Sequence, residues 1–207
     1  LVILTGLLGS AGDVWADAQS DFDKGKAAYQ SGDFATALKE WKPLADQGNA
    51  KAQFKLGTMY FGGKGVTQDF AEAMIWYRKA ADQGHAGAQS SLGQMYEDGK
   101  GVTKDYGEAV KWYRKAAEQG QVNAQSDLGF MYYSGKGVTQ DYAEAAKWNR
   151  KAADQGYAGA QTSLGQMYDN GKGVTQDYAE AVKWYRKAAE QGDANAQFNL
   201  GLMYRDG

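Results

Sequence analysis

Residues 123–156 read NAQSDLGFMYYSGKGVTQDYAEAAKWNRKAADQG. The fold turns on whether the Gly-Lys-Gly at 135–137 is a phosphate-gripping loop or the turn of a repeated hairpin. A Walker loop needs G-x-x-x-x-G-K-[ST], with a helix starting at once so that successive N–H groups cradle the phosphate. Here the lysine is followed by Gly137, Val138 and Thr139, and the next helix signal waits until Asp141. The same turn recurs around Lys64, Lys100 and Lys172. A structural turn is therefore expected, with the glycines at 63/65, 99/101, 135/137 and 171/173 supplying positive φ and Val66, Val102, Val138 and Val174 plugging the hairpin.

Outward from this stretch the repetition is regular. Ala-Gln recurs at 52/53, 88/89, 124/125, 160/161 and 196/197, and Leu-Gly at 56/57, 92/93, 128/129, 164/165 and 200/201. Met-Tyr follows at 59/60, 95/96, 131/132, 167/168 and 203/204, a period of 36 residues throughout. Within one period Ala50, Gln53, Leu56, Gly57 and Tyr60 fall at helical spacing, as do Ala73, Trp76, Tyr77 and Ala80, so each period predicts a helical hairpin. The second helix opens on Asp69-x-x-Glu72, Asp105-x-x-Glu108, Asp141-x-x-Glu144 and Asp177-x-x-Glu180, a capping box in which the glutamate can reach back. It closes on Gln-Gly at 83/84, 119/120, 155/156 and 191/192, where glycine allows the left-handed turn after a last helical turn. Arg78/Asp82, Arg114/Glu118, Arg150/Asp154 and Arg186/Glu190 stand four apart, which predicts ion pairs along the helix face.

The chain divides on this reading into a truncated export signal (1–16), a tetratricopeptide-like N-terminal capping hairpin (17–48) with a tight turn at Ser31-Gly32, hairpins at 49–84, 85–120, 121–156 and 157–192, and a first helix at 193–207. The front is an apolar run (Leu1, Val2, Ile3, Leu4, Leu7, Leu8) followed by candidate cleavage triplets at Val14-Trp15-Ala16 and Ala16-Asp17-Ala18. That is the pattern of a secretory signal, too short to span a bilayer; the alternative is a buried helix. A half-repeat at the end leaves an apolar face to cover, so further repeats are expected. His85-Ala-Gly-Ala-Gln matches Tyr157-Ala-Gly-Ala-Gln more closely than the intervening copy, which suggests growth in pairs of hairpins.

With 207 residues, 43% hydrophobic and 23% charged, the composition is globular. A formal net charge of -2 without a basic run gives no field to hold nucleic acid. One proline (Pro43) against 28 glycines fits a helical chain punctuated by turns. Absent cysteine removes disulfides, thiolate nucleophiles, thiolate-bound metal and a lipoprotein anchor.

The signature A-x-A-Q-x-x-L-G-x-M-Y, then G-x-G-V-x-x-D-[FY]-x-E-A-x-x-W-x-x-K-A-A-x-Q-G, over residues 50–207 resembles the Sel-1-like repeat family, relatives of the tetratricopeptide repeat. The resemblance implies an all-α fold, an α-solenoid of antiparallel hairpins wound as a right-handed superhelix with first helices lining a concave face. It also implies a scaffold or adaptor role, often in exported bacterial proteins. One branch of the family carries a disulfide in each repeat and is connected with cell-wall-derived ligands; this chain lacks the cysteines.

No catalytic constellation is expected. His85 is the single histidine, at a turn position held elsewhere by Gln121, Tyr157 and Asp193, and reads as a surface turn residue. No metal-ligand spacing and no cofactor motif stand out. Trp76, Trp112, Trp148 and Trp184 recur beside Ala73, Ala109, Ala145 and Ala181, which predicts large-against-small core packing rather than a stacking platform. Projecting the concave positions onto the first helices selects Lys51, Phe54, Thr58 and Phe61; Gly87, Ser90, Gln94 and Glu97; Asn123, Ser126, Phe130 and Tyr133; Gly159, Thr162, Gln166 and Asp169. These vary between near-identical copies, either by drift or because a partner selects them. Phe54, Phe61, Phe130 and Tyr133 are expected as exposed anchors. The predicted protein is a non-enzymatic scaffold, exported to the periplasm or secreted, without a membrane anchor once the signal is removed. It binds a protein or extended peptide; the alternatives are a cell-wall or exopolysaccharide glycan and, more weakly, a cell-wall-active enzyme. Asn149 stands where Tyr77, Tyr113 and Tyr185 stand in sister copies. It marks a local softening of the stacking that a bound partner, or only drift, could explain.

Overall fold

The computed structural model describes residues 11–206. The proposed export signal therefore lies largely outside the described residues, which begin with helix α1 at Ala11. Among them are eleven α-helices and no strand. They run α1 (Ala11–Ser31), α2 (Phe34–Asp46), α3 (Ala50–Gly62), α4 (Phe70–Asp82), α5 (Ala86–Asp98), α6 (Tyr106–Glu118), α7 (Val122–Ser134), α8 (Tyr142–Asp154), α9 (Ala158–Asn170), α10 (Tyr178–Glu190) and α11 (Ala194–Asp206). The fold is an all-α repeat of antiparallel hairpins, grouped into two compact units; one ends at His85 and the other begins at Ala86.

Both ends of the second helices follow from local chemistry. The Asp141 carboxylate accepts from the N–H groups of Ala143 (2.9 Å) and Glu144 (3.0 Å), and Asp69, Asp105 and Asp177 cap their helices likewise. The capping box itself does not close. The N–H of each capping aspartate donates instead to a tyrosine carbonyl of the preceding first helix, Tyr60, Tyr96, Tyr132 or Tyr168, at 2.9–3.0 Å. Glu108, Glu144 and Glu180 are thereby left to Lys111, Lys147 and Lys183 at 2.5, 2.8 and 2.9 Å. At the far end Gly84, Gly120, Gly156 and Gly192 adopt φ of 86–89° as expected.

The expected Arg-to-acid pairing along α6, α8 and α10 is overturned. Arg114 donates to the Tyr132 hydroxyl (2.7 Å), Arg150 to that of Tyr168 and Arg186 to that of Tyr204 (2.6 Å). Each arginine thus reaches the Met-Tyr tyrosine of the next first helix, because packing brings that hydroxyl within range of the guanidinium. These bonds tie one hairpin to the next rather than stiffening one helix.

The core repeats with the same period. Leu128 and Met131 of α7 have no exposed surface, nor do Leu56 and Met59 of α3. Trp76, Trp112, Trp148 and Trp184 are core residues, 3–7% exposed. Trp148 shares its core with Ala116 and Ala117 of the preceding second helix, and Trp184 with Ala152 and Ala153. The small residues that receive the indole therefore include the Ala-Ala pair one hairpin earlier, a partner that spacing along one helix does not disclose. Lys79, Lys115, Lys151 and Lys187 each fold back over the tryptophan three residues earlier, with Nζ 4.1–4.2 Å from the ring centroid. The lysine stem packs on the indole while its cation stays over the ring.

Buried glutamines bridge hairpins. Gln125 of α7 donates to Ala117 O at 3.1 Å and accepts from Gln155 of α8 at 2.7 Å. Gln161 repeats this with Ala153 and Gln191, and Gln53 with Ala45 and Gln83. The recurrent Ala-Gln and Gln-Gly pairs are the two ends of this bridge, which gives a second donor to a helix-end carbonyl that already accepts from the N–H of Gly120, Gly156 or Gly48 at 3.0 Å.

Candidate functional site

The Gly-Lys-Gly loop is a structural turn. Its glycines at 63/65, 99/101, 135/137 and 171/173 all have φ of 63–72°. The second glycine of a loop abuts the start of the preceding second helix: a Cβ on Gly173 would lie 2.0 Å from Tyr142 O, and one on Gly137 2.2 Å from Tyr106 O. The intervening lysine sits over aromatic rings at the same junction. Lys172 Nζ lies 5.1 Å from the Tyr133 ring centroid and 5.4 Å from that of Tyr142, and donates to the Tyr133 hydroxyl at 2.9 Å. Lys136 covers Phe130 and Tyr106 at 4.8 and 5.4 Å. The lysine that resembled a phosphate ligand is a cation–π clip between hairpins.

The projected first-helix positions do not form one set of exposed anchors. In the first unit Lys51 is exposed, but Phe54 is half-buried, stacked on His85 with centroids 4.6 Å apart and 5.7 Å from Tyr77. Phe61 is half-buried edge-on against Phe70 at 5.2 Å, and the Thr58 hydroxyl donates to Phe54 O at 3.0 Å. His85 is accordingly not a free surface residue: it is half-buried, and burial, with Lys55 and Lys51 adding like charge, holds its imidazole below the ordinary range. In the second unit Gln94, Asn123 and Gln166 are exposed, and Phe130 is the exposed aromatic of the four, at 47%. Tyr133 lies half-buried, edge-on to Tyr142 at 5.1 Å. Thr162 is buried and donates to Asp193 at 3.0 Å, so its variation serves a helix junction. The buried tryptophans offer no open stacking face for a sugar.

Glu97 and Asp169 serve the tyrosines of the second helices. The Tyr113 hydroxyl donates to Glu97 at 2.9 Å, and that of Tyr185 to Asp169 at 3.5 Å. Burial and these carboxylates raise both phenols above their usual range. Beside them, burial and then the Glu97 charge push the Asp127 carboxyl up to about 7.

The third of these repeats differs. Elsewhere the tyrosine ring lies directly on the Leu-Gly glycine: a Cβ on Gly93 would fall 2.5 Å from Tyr113 Cδ1, and one on Gly165 2.6 Å from Tyr185 Cδ1. Gly129 meets Asn149 instead, and the shorter side chain ends where the ring would continue. A cavity of about 220 Å³ remains, lined by Ser126, Phe130, Tyr133, Asn149, Ser163, Gln166 and Met167. Four of these, Ser126, Phe130, Tyr133 and Gln166, are first-helix positions singled out from the sequence. Ser163 and Met167 were not, since both lie on the repeating scaffold rather than on the projected face. No group of three or more His, Cys, Asp or Glu able to hold a metal occurs among the described residues.

Helical hairpins stacked through conserved geometry, with variable residues gathered on the first helices, define a helical-repeat protein of the interaction class. The chain belongs to the Sel1 repeat family, which matches at residues 50–85, 86–121, 122–157, 158–193 and 194–207. Proteins of this family are generally protein-interaction scaffolds and typically non-catalytic. Among solved structures, it is similar to a protective antigen of uropathogenic Escherichia coli displaying an SLR fold (42% identity, TM-score 0.85, covering 90% of this chain and 41% of the antigen). A Sel1 repeat protein from Oxalobacter formigenes is 40% identical, with a TM-score of 0.82 over 87% of this chain and 74% of that one. Cysteine rich protein B of Helicobacter pylori is 27% identical, with a TM-score of 0.52 over 64% of this chain and 96% of its own. The chain thus spans less than half the length of the antigen. No curated protein matches it. Among the described residues no helix is long and apolar enough to cross a membrane.

Proposed function

We propose that the chain is a non-enzymatic scaffold of the bacterial cell envelope that docks a protein segment on its first helices, with the principal contact on α7 and α9. One observation carries the reading. Positions that vary between otherwise matching repeats, Ser126, Phe130, Tyr133 and Gln166, converge on one cavity, where an exposed aromatic stands beside polar groups. An aromatic anchor ringed by hydrogen-bonding side chains suits a peptide or protein surface. Gln94 and Asn123 extend this face with exposed polar groups, Glu97 and Asp169 stand behind it on the tyrosine hydroxyls, and in the first unit Lys51 is exposed beside the half-buried Phe54, Thr58 and Phe61. Export, to the periplasm or beyond, is supported by the apolar run and small-residue triplets within residues 1–18. Cell fractionation with N-terminal sequencing of the mature chain tests that part. Crosslinking in the native cell, followed by Phe130→Ala/Tyr133→Ala, tests the docking face: capture is expected to fall at least about tenfold, as loss of two anchors implies. A folded double variant that captures its partner at full yield overturns the proposal.

A further inference from the structure

We propose that the Asn149 cavity is a receptor for a single aromatic side chain of the partner, a tyrosine, which enters the space left beyond Asn149, where this side chain stops short of the rings that Tyr113 and Tyr185 extend in the neighbouring hairpins. This deepens the docking reading above and rests on it. The argument starts from the repeat itself. In the flanking copies a phenol fills the space over Gly93 and Gly165, its hydroxyl donating to an acid at position 97 or 169. In the third copy the glycine is kept but the Asn149 amide sits on it, and the open space lies beyond that shorter side chain, against Met167 and Ser163 of α9. The space has not collapsed: it measures about 220 Å³, against about 150 Å³ for an engineered protein cavity that accepts benzene.

The lining also fits a phenol rather than an aliphatic group. Phe130 and Tyr133 supply aromatic walls and Met167 a polarisable sulfur, both favourable to a ring. Asn149 is 3% exposed, yet its side chain makes one hydrogen bond among the described residues, a long one from Nδ2 to Met167 Sδ at 3.9 Å. A buried amide ordinarily uses more of its capacity. Its oxygen and second N–H, with Ser126 and Gln166 on the same wall, can serve the hydroxyl and backbone of an incoming tyrosine. Burying an alanine-sized or aliphatic side chain there would leave that amide unserved, which disfavours such partners.

The test needs no partner, so its failure is distinct from failure of the docking face. The intact chain is titrated with p-cresol, the tyrosine side chain in isolation, and followed by NMR at the Asn149 side-chain amide and the Met167 methyl. Saturable shifts at both are expected, with a Kd on the order of 1 mM for so small a ligand, and weaker binding of toluene, which lacks the hydroxyl. Asn149→Tyr, which rebuilds the neighbouring hairpins' own ring, should weaken p-cresol binding at least about tenfold, the loss that follows when a native side chain occupies the site. Because that variant could pack poorly, wild-type crystals soaked with 4-bromophenol give a second reading: anomalous density for bromine within the cavity supports the proposal. No shift at either reporter at 10-fold above about 1 mM, undiminished binding to folded Asn149→Tyr, or bromine bound only elsewhere overturns it. If partner capture nevertheless persists and depends on Phe130 and Tyr133, the docking face stands and the tyrosine receptor alone falls.

Discussion

Hairpins α5–α6 and α7–α8 share the aspartate cap of the second helix, their tryptophan and its lysine, and their buried glutamine, and among the positions where they differ one changes the packing of the crossing. In the first, Tyr113 presses on Gly93; in the second, Asn149 faces Gly129 and leaves a cavity. The difference separates what the repeat needs to stack from what it can surrender. Glutamine bridges, Arg–Tyr bonds and indole packing carry the junction between hairpins, whereas the tyrosine fills the crossing of its own hairpin and borders the next first helix. A hairpin can give up this one ring and remain joined to its neighbours.

The largest expected effect breaks the shared part. Trp148→Ala should cost about 3–5 kcal/mol, as aromatic truncation in a core does; chemical denaturation showing a loss under about 1 kcal/mol would remove the indole from the junction. Next comes the contrast itself. Gly93→Ala drives a methyl into the Tyr113 ring and should cost about 2–3 kcal/mol, the upper range for overpacking. Gly129→Ala meets an amide with empty space behind it, so the helix preference of alanine, about 1 kcal/mol, should leave it near neutral. Equal losses in paired melts would show that the two crossings are packed alike.

A pH measurement sharpens the comparison from the side where the two hairpins meet. Asp127 of α7 is pushed up to about 7 by burial and by Glu97 of α5. The folded chain therefore holds more protons than the unfolded one between the ordinary carboxylate range and that value, and stability falls as pH rises across the window. Asp127→Asn should be more stable than wild type by about 1–2 kcal/mol at pH 8, a figure discounted for partial exposure, and lose that advantage below the ordinary carboxylate range. Asn149→Tyr should gain about 0.5–2 kcal/mol if the ring simply refills its place, as cavity filling does; a lower melting temperature would mean that Phe130 and Tyr133 have closed over the site. The smallest effect is a control: Lys151→Met and Lys115→Met should each lose about 0.5–1 kcal/mol, the strength of an exposed cation–π contact, and equally in both hairpins.

The helices, their caps and their core were legible because each rests on a local pattern. Asp141 before an apolar period, Gly156 after it, and Leu128 with Met131 at helical spacing need no knowledge of the partner helix. The Arg150–Tyr168 bond, the Lys172 clip and the Ala-Ala seat of Trp148 were not, since they depend on how hairpins cross, and spacing within one helix carries no crossing angle. The candidate site divides the same way. Of the four aromatics expected as exposed anchors Phe130 is exposed, while Phe54, Phe61 and Tyr133 proved to be packed on His85, Phe70 and Tyr142. The cavity was foreshadowed by one signal, a single Asn in a column of Tyr.

The loop glycine that rests on the previous hairpin's carbonyl has a bearing on ancestry. Gly65 against Phe34, Gly137 against Tyr106 and Gly173 against Tyr142 mean that these hairpins carry, in their own turns, the piece that grips the predecessor. A single-codon insertion would spoil two junctions at once, whereas gain or loss of a whole 36-residue segment restores both automatically. Unequal recombination at such a gene therefore yields working arrays of different length while point insertions are purged, and the reading frame of evolution here is the hairpin rather than the codon.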